Sequence, residues 1–303
     1  MRFSRLLLCV LSGCLLTGLA KAAEPAKRPN FVFIVSEDNS VHYLRLYGHK
    51  LGVTPNIERL AAEGLTFNHA FSGAPVCSVA RTTLATAMHA PRVGFQYHRK
   101  SALASLPPGV KPWSTVLREQ GYYATNNSKT DYNFKVDMKQ AWDMSSRKAT
   151  WRNRPDKSMP FFHMQSFADS HESSLHFPIK QLEKPTTTLP AEVDLPPYFP
   201  DTPIMRYTMA RYYDRMRIID GHVGRIVNQL RDDGLLENTF VFYFGDHGGV
   251  LPRSKGYAYE SGLHVPFVVR IPENFKQLVD HKRGSRTDGF VSFIDFGPTV
   301  LNL

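Results

Sequence analysis

Residues able to do chemistry fall in a few short stretches of this 303-residue chain. Cys77 lies in Ala74-Pro75-Val76-Cys77-Ser78-Val79-Ala80-Arg81, and the other cysteines, Cys9 and Cys14, belong to an N-terminal segment of different character. Arg81 follows the thiol by four residues, in a stretch (79–88) predicted to be helical, and a cation one turn away favours the thiolate. A small buried apolar side chain is the other reading of a lone cysteine. Ser36-Glu37-Asp38-Asn39 and Gly245-Asp246-His247-Gly248-Gly249 each follow a short apolar run directly. Carboxylates from two such loops make an oxygen-rich cation site, although each stretch alone also suits an ordinary acidic turn.

The elements that must carry these residues are legible as alternating patterns. Residues 31–35 form a continuous apolar, β-branched run that predicts a buried strand. Further strands are predicted at 65–70, 122–126, 160–167, 239–244 and 264–271. A helix should open at Thr54-Pro55 and stop at Gly64, another should cover 113–120 and stop at Gly121, and the longest should run from Met205 to Gly234. Tyr212, Met216, Ile219, Val223, Ile226, Val227 and Leu230 repeat there near 3.6 residues. Residues 171–204 are rich in Pro, Ser and Thr and read as a long surface excursion. Strand and helix signals alternate over nearly the whole chain, which predicts an α/β layered domain.

Arg2 and Arg5 precede the apolar run 6–19, and Ala20-Lys21-Ala22 offers a small-x-small cleavage site. Residues 1–22 therefore read as a signal peptide of an exported protein, periplasmic or secreted. Leu11-Ser12-Gly13-Cys14 also resembles a lipobox, in which case Cys14 would be acylated and the protein membrane-anchored. Cleavage after residue 22 would remove Arg2, Arg5 and Lys21 and no acids, lowering the net charge from +10 to +7. That balance suits a polyanionic ligand, and no basic-aromatic pattern of a nucleic-acid module is present.

The octet around Cys77 resembles the signature of the type I sulfatases, of the alkaline phosphatase-like superfamily, in which the Cys of Cys-x-Pro-x-Arg is oxidised to formylglycine (3-oxoalanine). Val79 stands where Pro is usual. The resemblance extends to the two post-strand acids and to Asp246-His247, and implies a calcium ion or other divalent cation held by Glu37, Asp38, Asp246, His247 and the oxygen of modified Cys77. Asn127-Ser128-Lys129-Thr130-Asp131 resembles the family's Gly-Lys-x-His segment, with Asp131 in place of the His. Phe167-Ala168-Asp169-Ser170-His171 and Leu251-Pro252-Arg253-Ser254-Lys255-Gly256 resemble the segments carrying an active-site His and a second Lys.

By this resemblance Cys77, Arg81, Lys129, His171 and Lys255 are the catalytic set. The fold would be an α/β/α sandwich on a large, mostly parallel mixed sheet, with residues 23–303 as the N-terminal catalytic domain and the smaller C-terminal subdomain missing. A formylglycine-generating enzyme would be the maturation partner. Residues 195–203 are similar to the heparan N-sulfatase-like branch, which implies a sulfated saccharide substrate. A phosphate or phosphonate ester hydrolase of the same superfamily, and a non-catalytic polyanion-binding relative, are the competing readings.

Overall fold

Residues 28–99, 103 and 105–303 are described by the structure, a computed structural model; the predicted signal segment, with Cys9 and Cys14, lies outside them. An eight-stranded sheet forms the middle of the molecule. Its strands are β1 (Asn30–Ser36), β2 (Gly64–Phe71), β3 (Tyr123–Asn127), β4 (Met144–Ser145), β5 (Phe161–Phe167), β6 (Thr239–Gly245), β7 (Phe267–Arg270) and β8 (Ser285–Ser292). Their order across the sheet is β4-β3-β5-β1-β6-β7-β2-β8. Strand β7 runs antiparallel to both neighbours, and every other pairing is parallel.

Side chains alternate between the two faces of a strand. In β1, Val32 and Ile34 pack with helices α1 (Pro55–Ala62) and α6 (Pro203–Asp232). Phe31, Phe33 and Val35 pack on the opposite face with α2 (Cys77–Thr86), α4 (Trp113–Glu119) and α8 (Phe293–Asn302). The short helices α3 (Ala90–Val93), α5 (Met138–Ala141) and α7 (Glu260–Leu263) complete the set. The result is the expected α/β/α sandwich. No helix among the described residues is long and apolar enough to cross a membrane.

Three local readings need correction. Gly64 does not stop α1: the helix ends on Glu63, whose N–H returns to carbonyls of its last turn. Gly64 opens β2 instead, where a Cβ would run into the Val269 carbonyl. Helix α2 begins at Cys77, two residues before the predicted stretch, because Val76 is extended and acts as its N-cap. Strand β7 is shorter than the predicted 264–271, and His264 contributes only an isolated bridge to Phe71.

His163, on β5, is buried, with Thr125 Oγ1 2.8 Å from its Nδ1, a Gln165 side chain nearby and Trp151 edge-on. Burial pushes it down from 6.5 to about 4. The neutral ring is therefore the form that the fold holds. Its contribution is intact above pH 6.5 and is lost as pH falls through 4, about 3 kcal/mol in all. Urea titrations at pH 7 and pH 4 should show this loss, and His163→Gln should reduce the pH slope; an unchanged slope in the variant would assign the acid sensitivity elsewhere.

Candidate active site

The carboxyl ends of β1, β3, β5 and β6 lie along one edge of the sheet, because these strands are mutually parallel. Ligands of open α/β sheets gather at such an edge. Glu37 and Asp38 leave β1, Lys129 follows β3, His171 follows β5, and Asp246 and His247 leave β6. Helix α2 brings Cys77 to the same place. Its register is locked from inside, since all ten of its residues are buried and Thr82 and Thr86 return their hydroxyls to the carbonyls four residues back at 2.7 Å.

Cys77 Sγ lies 3.2 Å from His247 Nε2 and 3.8 Å from Asp38 Oδ1. Asp38 Oδ1 is 2.9 Å from the same His247 nitrogen. Asp38, Cys77 and His247 form the tight cluster of possible metal ligands among the described residues. Asp246 is beside it, with Oδ1 3.8 Å from His247 Nε2 and accepting the N–H groups of Asp38 (3.0 Å) and His247 (3.1 Å). Glu37 faces the other way: Lys129 Nζ reaches its Oε2 at 2.6 Å, and Arg81 Nη2 is 3.6 Å from its Oε1.

Arg81 is buried, and its charge and that of a Cys77 thiolate stabilise each other. Its Nε donates to Asp246 Oδ2 at 3.1 Å and its Nη1 to Ser166 Oγ at 3.1 Å. Burial and Asp246 both push the Cys77 thiol up, but hydrogen bonds from His171 and His247 outweigh them and its pKa falls below the usual value. Those imidazoles act beside Arg81, whose charge also favours the thiolate. Lys255 donates to Asp38 Oδ2 at 2.8 Å and lies 3.2 Å from Glu172 and 3.4 Å from His171 Nε2. Asp131, in place of the expected His, accepts a two-pronged contact from Arg99 at 3.0 and 2.9 Å.

His247 Nδ1 faces the Gly248 carbonyl at 3.0 Å. A carbonyl only accepts, so Nδ1 carries a proton and the other nitrogen faces Asp38 and Cys77. Two acceptors 2.9 Å apart require a proton or a cation between them. Burial lowers His247, but Asp246, Asp38 and Cys77 raise it further, to about 10, so in the ion-free site a second proton does this job. The carboxylates of Asp38 and Asp246 and an imidazole nitrogen, gathered at a dry spot beside Cys77, suit a divalent cation with oxygen-rich coordination. The donor chemistry therefore fits the expected metal, with Asp38, Asp246 and His247 nearest and Glu37 behind them.

Two participants escaped the sequence reading. The Glu172 N–H donates to Asp38 Oδ2 at 2.8 Å, and its place next to His171 was the available signal. Tyr212, on α6, donates to the Asp38 carbonyl, and its helical periodicity marked it only as a core residue.

A family model, described as Sulfatase, matches residues 29–303, and the chain belongs to that family. An ulvan-active sulfatase of Formosa agariphila is 35% identical over 319 residues, covering 91% of this chain and 52% of that relative. Human N-sulphoglucosamine sulphohydrolase is 25% identical over 333 residues, covering 97% of this chain and 64% of that relative. The chain thus spans about half to two thirds of the length of these relatives. The solved structure of a putative sulfatase, yidJ, from Bacteroides fragilis superposes with a TM-score of 0.71 at 20% identity, over 93% of this chain and 75% of that one. It shares the fold.

The Arg81–Asp246 pair is wholly buried, and removing one partner of such a pair costs about 3–5 kcal/mol. Arg81→Met should lose about that much in chelator, by urea unfolding, and calcium should restore part of it by neutralising Asp246. Stability within 1 kcal/mol of the parent, roughly, would show that Asp246 is compensated without Arg81.

Proposed function

We propose that this chain hydrolyses sulfate esters or sulfamates on a sulfated saccharide, with Cys77 converted to formylglycine and a divalent cation, calcium by its donor set, held at Asp38, Asp246, His247 and Glu37. The observation that carries the reading is the placement of Cys77: a single buried side chain at a helix start, against Asp38 and His247, with Lys129, His171 and Lys255 around it. A bound cation would neutralise sulfate oxygens and lower the pKa of the attacking group. The hydrate of an aldehyde at position 77 would supply that attacking hydroxyl.

The residues present account for the remaining needs. A sulfate monoester carries negative charge on the oxygens that surround the reacting sulfur, so cations must hold it. Lys129 and Lys255, partly exposed and each leaning on a buried acid, are placed to do so. The Ser173 N–H donates to His171 Nδ1 at 3.3 Å, which leaves Nε2 as the protonated nitrogen of the neutral ring. That proton, directed to Cys77, can pass to the departing oxygen or nitrogen. Water is consumed overall, and an alcohol or amine and sulfate are released. Export to the periplasm or outside the cell, and a formylglycine-generating enzyme as partner, belong to the same proposal; they draw on the leader-like segment and on the motif around Cys77.

The test pairs two readouts on protein made together with a formylglycine-generating enzyme. The peptide spanning residues 60–81 should lose the mass that separates cysteine from the aldehyde, and the same material should release sulfate from an aryl sulfate faster than phosphate from the matching aryl phosphate. Lys129→Ala and His171→Ala should each cost at least about 100-fold in kcat/KM. Unconverted Cys77 with phosphate preferred would favour an ester hydrolase of the second kind, and saturable glycan binding without release would favour a binding protein.

A further inference from the structure

The loop that carries Lys255 also carries a second cation, Arg253, whose guanidinium the active-site chemistry does not use. Its carbon lies 4.7 Å from the ring centre of Tyr198 and 4.6 Å from that of Tyr259. The two rings come from separate loops, so the guanidinium is gripped by both. Tyr198 is in turn braced edge-on, at 4.8 Å, by Phe199, which is buried. Among the described residues the Arg253 side chain has no carboxylate partner and no hydrogen-bond acceptor; only its backbone carbonyl is engaged, by Ser261 Oγ at 2.8 Å. By contrast Arg45, Arg99, Arg152 and Arg206 all close on a carboxylate.

The position is held firmly. Lys255 N–H donates to the Gly249 carbonyl at 3.0 Å, and Gly256 N–H to the Pro75 carbonyl at 2.8 Å, two residues before Cys77. Arg253 itself has φ +67°, a left-handed backbone that is uncommon and costly for a residue with a side chain. With two rings against its carbon and no acceptor on its nitrogens, the guanidinium keeps its N–H fork, the edge that takes a carboxylate or sulfate two-pronged, available to a ligand. The entropy of ordering the side chain is already spent by the two rings. Tyr198 and Tyr259 remain about half exposed, at 46% and 49%, and Arg253 itself is exposed, so the fork is open to solvent.

We infer that Arg253, clamped between Tyr198 and Tyr259, is a subsite for a second anionic group, carboxylate or sulfate, on the sugar next to the one that loses its sulfate. This rests on the proposed sulfatase reading and deepens it. Arg253 and Lys255 lie two residues apart on one loop, their Cα atoms within about 7 Å, with Arg253 exposed and Lys255 partly buried against Asp38. The chain would then favour polyanionic oligosaccharides over singly charged esters.

The experiment uses the converted, calcium-loaded enzyme and three substrates: an aryl sulfate, ulvan oligosaccharides, and the same oligosaccharides with carboxyls reduced to alcohols. In Arg253→Ala the ratio of kcat/KM for ulvan oligosaccharides to that for aryl sulfate should fall at least about tenfold, mainly through KM. Arg253→Lys, which keeps the charge and loses the fork, should fall between. If carboxyl reduction abolishes the difference between parent and variant, the anion is a carboxylate; if the difference persists, it is a sulfate. A ratio that Arg253→Ala leaves unchanged, including equal losses on both substrates, would show that Arg253 only ties two loops together. A parent that releases no sulfate from any of the three would fail at the earlier step, taking the sulfatase reading and this subsite with it.

Discussion

Three carboxylates, those of Glu37, Asp38 and Asp246, are buried within one small volume, and the rest of the site is organised around keeping them ionised there. Isolated burial of even one such charge costs several kcal/mol. Arg81 takes Asp246 and approaches Glu37, Lys129 takes Glu37, and Lys255 takes Asp38. These cations come from α2 and from loops after β3 and β6, so the acids tie together elements that are far apart in sequence. The strand order places β1 beside both β5 and β6, which is what brings the two acidic loops edge to edge.

The same balance explains the direction of the chemistry. Arg81 and the two lysines match the three acids, and the doubly protonated His247 adds one positive charge. A divalent cation would leave it with excess positive charge, and an anion is what such a pocket would take up. Arg99 and Arg253 extend that positive character to the rim, one tied to Asp131 and the other clamped between two tyrosines. A neutral substrate would gain nothing from this arrangement.

Much of the layered fold was legible, because the apolar runs at β1, β5 and β6 are continuous and the α6 stripe is long. Strand β8 gave no such signal: its sequence is SRTDGFVS, polar and largely exposed, and it becomes a strand only by pairing along β2 at the sheet edge. Gly64 was misread because glycine marks helix ends and close backbone approaches alike, and only the neighbouring β7 decides between them. At the site, residues following strands were legible because position after a strand is itself the signal. Tyr212 was not, because a tyrosine in an amphipathic helix looks like core until the Asp38 carbonyl is found above it. Arg81 was found, but its hydrogen bond to Asp246 was not, because four-residue spacing points only to the thiol.

The central claim is that these buried acids form a cation site at Cys77, and calcium titration of chelator-stripped protein by calorimetry tests it most directly. The account predicts saturable uptake of one ion per chain, with a dissociation constant on the order of 10⁻⁵ M or tighter, and a loss of at least about tenfold in Asp38→Asn. Absence of saturable binding, or an Asp38→Asn protein that titrates like the parent, would contradict it.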